Sequence, residues 1–188
     1  AWLQDLPAQH PGWNAPAQSP WLTTAIEAKM DALRKGRSRV LESGHTVVLG
    51  WSPRVFSIIS ELVTANENQK RAAVVILGDR DKVEMEDEIR ERVEVRGKTR
   101  IICRNGDPID PKDLEIASPH QAKSIIVLPP ENNDPDTDVI KTVLAITNNP
   151  KRRAEKYHII TQIRHAKNLP VLKLVGANDN VQAILTGD

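Results

Sequence analysis

Two short stretches carry residue types whose spacing could do chemistry. The first is His45-Thr-Val-Val-Leu-Gly50-Trp51-Ser52-Pro53-Arg54. A β-rich run stops at a glycine, and Ser52 then stands where a helix N-cap would stand, with Pro53 at the first helical position. A strand, a glycine turn and a helix N-terminus are the parts that hold a dinucleotide pyrophosphate when the turn reads G-x-G-x-x-G. Here those positions are Gly50, Ser52 and Val55. Only the first is glycine, Trp51 is bulky, and Pro53 lacks an amide N–H that a phosphate would use. Asp79, after the second apolar run, stands where a ribose-binding carboxylate would. Gly50, Ser52, Arg54 and Asp79 are therefore the candidate cofactor residues, and three departures from the fingerprint weigh against NAD. The competing reading is a capped helix with Arg54 solvated beside it.

The second stretch is Glu131-Asn-Asn-Asp134-Pro-Asp136-Thr-Asp138. Its four carboxylates and two amides could supply hard oxygen ligands to calcium. Glu131, Asp134, Asp136 and Asp138 are the candidate metal ligands. The spacing is not that of an EF-hand, which needs a glycine at the turn and a glutamate at the twelfth position. The same carboxylates also suit a helix N-terminus with no metal, Asp134 as the cap and Asp136 and Asp138 in the first turn.

Other reactive residues are isolated. His10, His45, His120, His158 and His165 show no ligand spacing, and there is no H-E-x-x-H. There is no G-x-S-x-G elbow and no phosphate-binding G-x-x-x-x-G-K-[ST] loop. Cys103, the single cysteine, ends an apolar run and reads as a buried small hydrophobe. No catalytic residue is assigned and no enzyme activity is expected.

The elements that must position these residues follow from periodicity. After Thr46–Leu49, the residues Val55, Phe56, Ile58, Ile59, Leu62 and Val63 recur at helical spacing. Ala73–Leu77 is a second strand closed by Gly78. Asp81 and Glu84 open a helix with Met85, Ile89 and Val93 on its buried face. Thr99–Cys103 is a third strand, and Asp110-Pro111 starts a short helix through Leu114 and Ala117. Ser124–Leu128 is a fourth strand. The helix from Asp134-Pro135 has Val139, Ile140, Val143, Leu144 and Ile146 on its apolar face. His158–Ile163 is a fifth strand, a helix covers Val171 to Val175, and Val181–Leu185 is the sixth strand. Apolar strands alternating with helices predict an α/β fold: a doubly wound, Rossmann-like parallel six-stranded sheet, order 3-2-1-4-5-6, with helices on both faces.

Upstream, Pro7, Pro11, Pro16 and Pro20 predict a poorly ordered leader over residues 1–22. Ile26, Met30 and Leu33 predict a helix from Thr23, ending near Gly36, within a linker that reaches residue 44. Glu27 and Asp31 lie early in it and Arg34 and Lys35 late, as a helix dipole prefers. Arg37 and Arg39 extend the basic cluster, which reads as a solvated connector or as a segment beside an anionic membrane surface. Residues 45–188 form the sheet domain. Lys plus Arg is 26 and Asp plus Glu is 25, a balance that excludes a bulk electrostatic nucleic-acid binder. Hydrophobic residues make up 39% and charged ones 27%, a globular composition. A lone cysteine suits a reducing compartment. No run approaches the ~18 apolar residues that span a bilayer, so the chain as it stands is expected to be soluble.

Taken together, Ile26-Glu-Ala-Lys-Met-Asp-Ala-Leu-Arg-Lys-Gly-Arg-Ser38, His45-Thr-Val-Val-Leu-Gly-Trp-Ser52, Asp79-Arg-Asp-Lys82, Ile102-Cys-Arg104, Ile125-Ile-Val-Leu128 and Leu172-Lys-Leu-Val-Gly176 resemble the CASTOR/POLLUX family of ion channels. The likeness runs from Thr23 to the C-terminus. More generally the chain resembles RCK (TrkA-N-like) regulatory domains. The resemblance implies a cation channel whose RCK domains form a homo-oligomeric gating ring at the cytoplasmic face of a membrane, with four subunits and calcium regulation in plant members. It implies that residues 23–44 link pore to ring, that the pore lies outside this sequence, and that Gly-Trp-Ser replaces the nucleotide fingerprint. The segment expected to flank the Rossmann half for dimerisation also lies outside it. The other functions open to such a fold are a nicotinamide-dependent oxidoreductase and a plain interaction module.

Overall fold

The computed structural model describes residues 20–94 and 98–187. The leader predicted over residues 1–22 lies largely outside them. Helix α1 spans Pro20–Arg34. It begins three residues before the predicted start, because a proline in the first turn gives up an N–H that has no intrahelical partner anyway. Glu27 and Asp31 therefore sit inside the helix, and its first turn holds no acid. Gly36, at φ +71°, ends it.

Six strands, β1 (Thr46–Leu49), β2 (Ala72–Gly78), β3 (Thr99–Asn105), β4 (Ser124–Val127), β5 (His158–Ile163) and β6 (Asn180–Leu185), form one sheet in the order β3-β2-β1-β4-β5-β6. Every pairing is parallel. In the central register Val47 lies between Val75 and Ile125. The predicted order holds for the reason given by the apolar runs. Successive side chains point to opposite faces, and both faces are covered, so both sets must be apolar.

One face packs Val48, Val74, Ile76 and Cys103 beneath α2 (Arg54–Ala65) and α3 (Lys82–Arg92), which contribute Val55, Ile59, Val63, Met85 and Ile89. The other packs Val47, Leu49, Val75, Leu77, Val127 and Ile159 beneath α4 (Pro111–Leu114), α5 (Pro135–Thr147) and α6 (Leu169–Val175). Tyr157 is the bulkiest side chain buried there, with Arg152 and Arg153 over its ring. Edge strand β6 leaves Ile184 and Leu185 half exposed.

The caps confirm most helix starts. Asp81 accepts from the Val83 and Glu84 amides, Asp110 from the Lys112 amide, and Asp134 from the Thr137 amide. Ser52 is the exception. Helix α2 starts at Arg54, with Pro53 already in helical geometry and no side-chain cap. The turn closes through the backbone, the Val55 N–H donating to the Ser52 carbonyl (2.9 Å). The Ser52 hydroxyl is turned inward, 4% exposed, and has no hydrogen-bond partner.

The segment 36–44, after α1, is bound to the domain along its length. The Asn105 N–H donates to the Gly36 carbonyl (3.1 Å), and the Arg104 guanidinium to the Ser38 carbonyl (2.8 Å). The Val40 N–H donates to the Ile116 carbonyl and the Gly44 N–H to the Gln121 carbonyl, both at 2.8 Å. Val40 is part of the core. Ser118, in left-handed geometry at φ +50°, donates its hydroxyl to the Val40 carbonyl (2.7 Å). Arg37 is paired with Asp113, Arg39 donates to Ser118 and His120, and Arg100 pairs with Glu42. Arg37 and Arg39, exposed as they are, thus tie a docked strap and do not belong to a free connector.

Candidate functional site

The carboxyl ends of the strands gather the sequence-picked residues into two adjoining clefts. Their shared wall is Pro130, beside the point where the strand order reverses, β1 lying between β2 on one side and β4 on the other. Open α/β sheets bind ligands at such a switch point. Gly50 stands at it with φ +97°, and a Cβ there would lie 2.8 Å from the Leu128 carbonyl oxygen. The glycine is therefore required by the neighbouring strand end whatever the ligand.

The first cleft, about 330 Å³, is lined by Ser52, Arg54, Glu131, Asp136, Gln162 and Arg164, among others. The second, about 350 Å³, is lined by Gly50, Trp51, Asp79, Asp107 and Asp138 together with apolar residues. The structure thus regroups the two sequence clusters. Gly50 and Asp79 join Asp138, while Ser52 and Arg54 join Glu131 and Asp136. Asp134 lines neither cleft.

The four proposed calcium ligands do not form one set. Asp134 takes the Thr137 hydroxyl (2.6 Å) and amide (3.4 Å), and these bonds, the hydroxyl foremost, hold its carboxyl below the usual range. Asp136 is 1% exposed and accepts from the Arg164 amide (2.7 Å), the His165 amide (2.9 Å) and the Asn168 side-chain amide (2.7 Å). Burial pushes its pKa up, but these donors outweigh it and the net shift is downward. Asp138 accepts from the Asn132 side-chain amide (2.7 Å) and lies 3.5 Å from the Lys141 ammonium. Among the described residues no three His, Cys, Asp or Glu side chains are grouped to hold a metal ion. Two of the four carboxylates are committed to helix and loop geometry, so the quartet as folded does not fit calcium, which takes six to eight oxygens.

A dinucleotide fits no better. Pro53 offers no N–H, and the Val55 N–H is taken by Ser52. Trp51 lies across the end of β2, its ring under Arg80 (5.6 Å) and edge-on to Phe56 (5.7 Å). Asp79, Asp107 and Asp138 rim the adjoining cleft and repel a pyrophosphate. Arg54 is turned to the Gln162 side-chain carbonyl.

Asp107, Gln162 and Arg164 were not picked from sequence. Each follows or ends a strand at the carboxyl edge, which is the signal that could have found them. Cys103 is fully buried and its thiol is pushed up to about 12, chiefly by burial. A thiol reagent such as DTNB at pH 8 is expected to leave the native chain unmodified and to react fully in denaturant. Rapid native labelling would contradict the burial. His45 is buried against the Ala117 carbonyl (3.0 Å), His165 touches Asp136, and His120 meets Arg39. His10 lies outside the described residues. No described helix is long and apolar enough to cross a membrane.

A family model described as the calcium-activated potassium channel slowpoke-like RCK domain matches residues 42–172. Among curated proteins, the probable ion channel CASTOR of Oryza sativa subsp. japonica is 36% identical over 170 residues, covering 89% of this chain and 19% of that protein. The probable ion channel POLLUX of Arabidopsis thaliana is 35% identical over 170 residues, 89% of this chain and 20% of that one. The chain therefore spans about a fifth of the length of these relatives. Among solved structures, the GsuK RCK domain superposes with a TM-score of 0.54 at 21% identity, covering 84% of this chain and 30% of that one. The GsuK channel bound to NAD gives 0.55 at 20%, covering 87% and 26%. At that identity these two establish the fold alone. The chain belongs to the slowpoke-like RCK domain family, and CASTOR and POLLUX ion channels are among the curated proteins it is similar to.

Proposed function

We propose that this domain gates a CASTOR/POLLUX-like cation channel, converting an effector's binding at the carboxyl-edge clefts into a displacement of α1. The docked strap carries this reading. Residues 36–44 hold to β3 and to the turns before β4, and they continue directly from α1. A shift of β3 or of the α4–β4 connection is passed to the end of α1 with few free torsions between. In the complete protein α1 leads toward the pore at the cytoplasmic face, and further copies of the domain complete a gating ring, four subunits to a channel. No reaction is assigned to the chain.

Our reading of the effector's class rests on the second cleft. Asp79, Asp107 and Asp138 line it, and no Lys or Arg does. The Asp79 carboxylate makes no hydrogen bond to the described residues. That field favours a cation or a cationic group over a nucleotide phosphate. The family description names calcium activation, and the relative GsuK has been solved with NAD. The residues seen here form a ready ligand set for neither. An effector can bias the two states only by its differential affinity, typically ~1–3 kcal/mol of coupling or about 5–150-fold.

The test uses the full-length parent channel in a planar bilayer, with calcium chloride or ADP on the domain side. Asp79→Asn combined with Asp107→Asn is expected to move the calcium midpoint to higher concentration. Ser118→Ala with Arg104→Met, which cuts two strap ties, is expected to flatten the response and leave single-channel conductance unchanged. A response to ADP and not to calcium would refute the cation assignment. Identical dose responses in wild type and the strap variant would refute the lever.

A further inference from the structure

The strap's fixation depends on two histidines in a way that goes beyond gating by a ligand. The Arg39 guanidinium is 2.7 Å from His120 Nε2. A guanidinium can only donate. His120 Nε2 must therefore present a lone pair, which places the ring's single proton on Nδ1. That Nδ1 is buried and has no hydrogen-bond partner. His45 Nε2 is 3.0 Å from the Ala117 carbonyl oxygen. A carbonyl can only accept, so His45 carries a proton on Nε2, and its Nδ1 is buried as well. His120 is thus neutral by the demand of its partner, and burial favours the neutral form of His45 with the opposite tautomer.

The two rings bracket the last two thirds of the strap, residues 39–44. Arg39 and Val40 are fixed by Ser118, beside His120 in the turn 119–121, and Gly44 donates to Gln121 of that turn. Glu42 of the strap and His120 act on His45, and Arg39 of the strap meets His120. Glu115 on the preceding turn is engaged elsewhere, by Asn149 and Lys151.

We propose that His120 and His45 form a proton-sensitive latch, holding the strap docked while both rings are neutral and releasing residues 39–44 when they take up protons. Protonating His120 removes the acceptor that Arg39 uses and sets two cations face to face. Protonating His45 puts a charge on a ring that is only 1% exposed. Burial, the largest influence, depresses the His45 pKa below its ordinary value, against the Ala117 carbonyl and Glu42, which raise it, and with His120, which lowers it further. A group so depressed takes its proton more readily in the opened form. The docked form is therefore fully favoured above pH ~6.5 and loses that advantage as the pH falls toward the lower docked value.

The latch belongs to the folded chain and its test needs no pore, so its failure and that of the gating reading are distinguishable. Hydrogen exchange of the Val40 and Gly44 amides is followed by NMR at pH 7.5 and pH 5.5, corrected for intrinsic rates and referenced to the core amide of Val75. Strap protection is expected to fall about tenfold or more at the lower pH while Val75 holds. His120→Gln, whose side-chain oxygen still accepts from Arg39 but does not titrate, is expected to keep most of that protection at pH 5.5. Imidazole nitrogen spectra at pH 7.5 are expected to show Nδ1–H for His120 and Nε2–H for His45. Strap protection independent of pH, an equal fall in His120→Gln, or the reverse tautomers would each overturn the latch.

Discussion

Gly50→Ala is expected to destabilise the domain by about 3 kcal/mol and to lower the thermal midpoint by roughly 6–12 °C. Two effects add. At φ +97° an L side chain is strained, and the new Cβ would sit 2.8 Å from the Leu128 carbonyl oxygen. That oxygen belongs to the chain leaving β4, whose Leu128 N–H is itself bonded to the Leu49 carbonyl (2.8 Å). It cannot withdraw without parting β1 from β4. Gly44→Ala provides the control. Gly44 has φ +65° and open space around its Cβ position. Only strain acts there, about 1 kcal/mol. Thermal unfolding of both variants followed by circular dichroism separates the two terms. Equal losses would mean that the contact with Leu128 contributes nothing.

Asp136→Ala is expected to cost about 3–5 kcal/mol, read as a lower urea midpoint at unchanged slope. The carboxylate ties the first turn of α5 to the β5–α6 connection through the Arg164 and His165 amides and the Asn168 side chain. Its removal leaves those donors facing a void, and an unsatisfied buried donor is worth ~1–3 kcal/mol. Asp136→Asn, which keeps one accepting oxygen, should lose less. The pH dependence has a definite sign. Burial raises the Asp136 pKa, the amide donors lower it more, and the folded value lies below the ordinary one. Its contribution is therefore complete above pH ~4 and disappears as the pH falls through the folded value. The stability gap between wild type and Asp136→Ala should narrow between pH 6 and pH 3. A gap that stays constant would show that the carboxylate's charge is not what matters.

These residues also show how far the chain can be read without coordinates. The six strands and their order follow from apolar runs separated by helical periodicity, since a parallel sheet buried on both faces admits no other pattern. Asp81, Asp110 and Asp134 announced their helices because a cap bond spans only two or three residues. Ser52 obeyed the same pattern and yet makes no cap, because the packing beside Gly50 turns its hydroxyl inward. The acidic run 131–138 was open to calcium, though its spacing already favoured capping. The choice turned on Arg164, His165 and Asn168, which lie about 30 residues away and take up Asp136. Arg37 and Arg39 read as solvent-facing charges, because nothing near them in sequence shows that Asp113, Ser118 and His120 wait across the strap.

The order of residues along the chain was enough for the Rossmann-like sheet, its strand order, the helix starts at Asp81, Asp110 and Asp134, and the burial of Cys103. All of these are set by local periodicity and by hydrogen bonds a few residues long. It took the folded chain to fix which carboxylates share a cleft, which are consumed as structural acceptors, and that residues 36–44 are bound to the domain. Those outcomes depend on partners distant in the chain, which meet only when the crossovers bring the carboxyl ends of the strands to one edge.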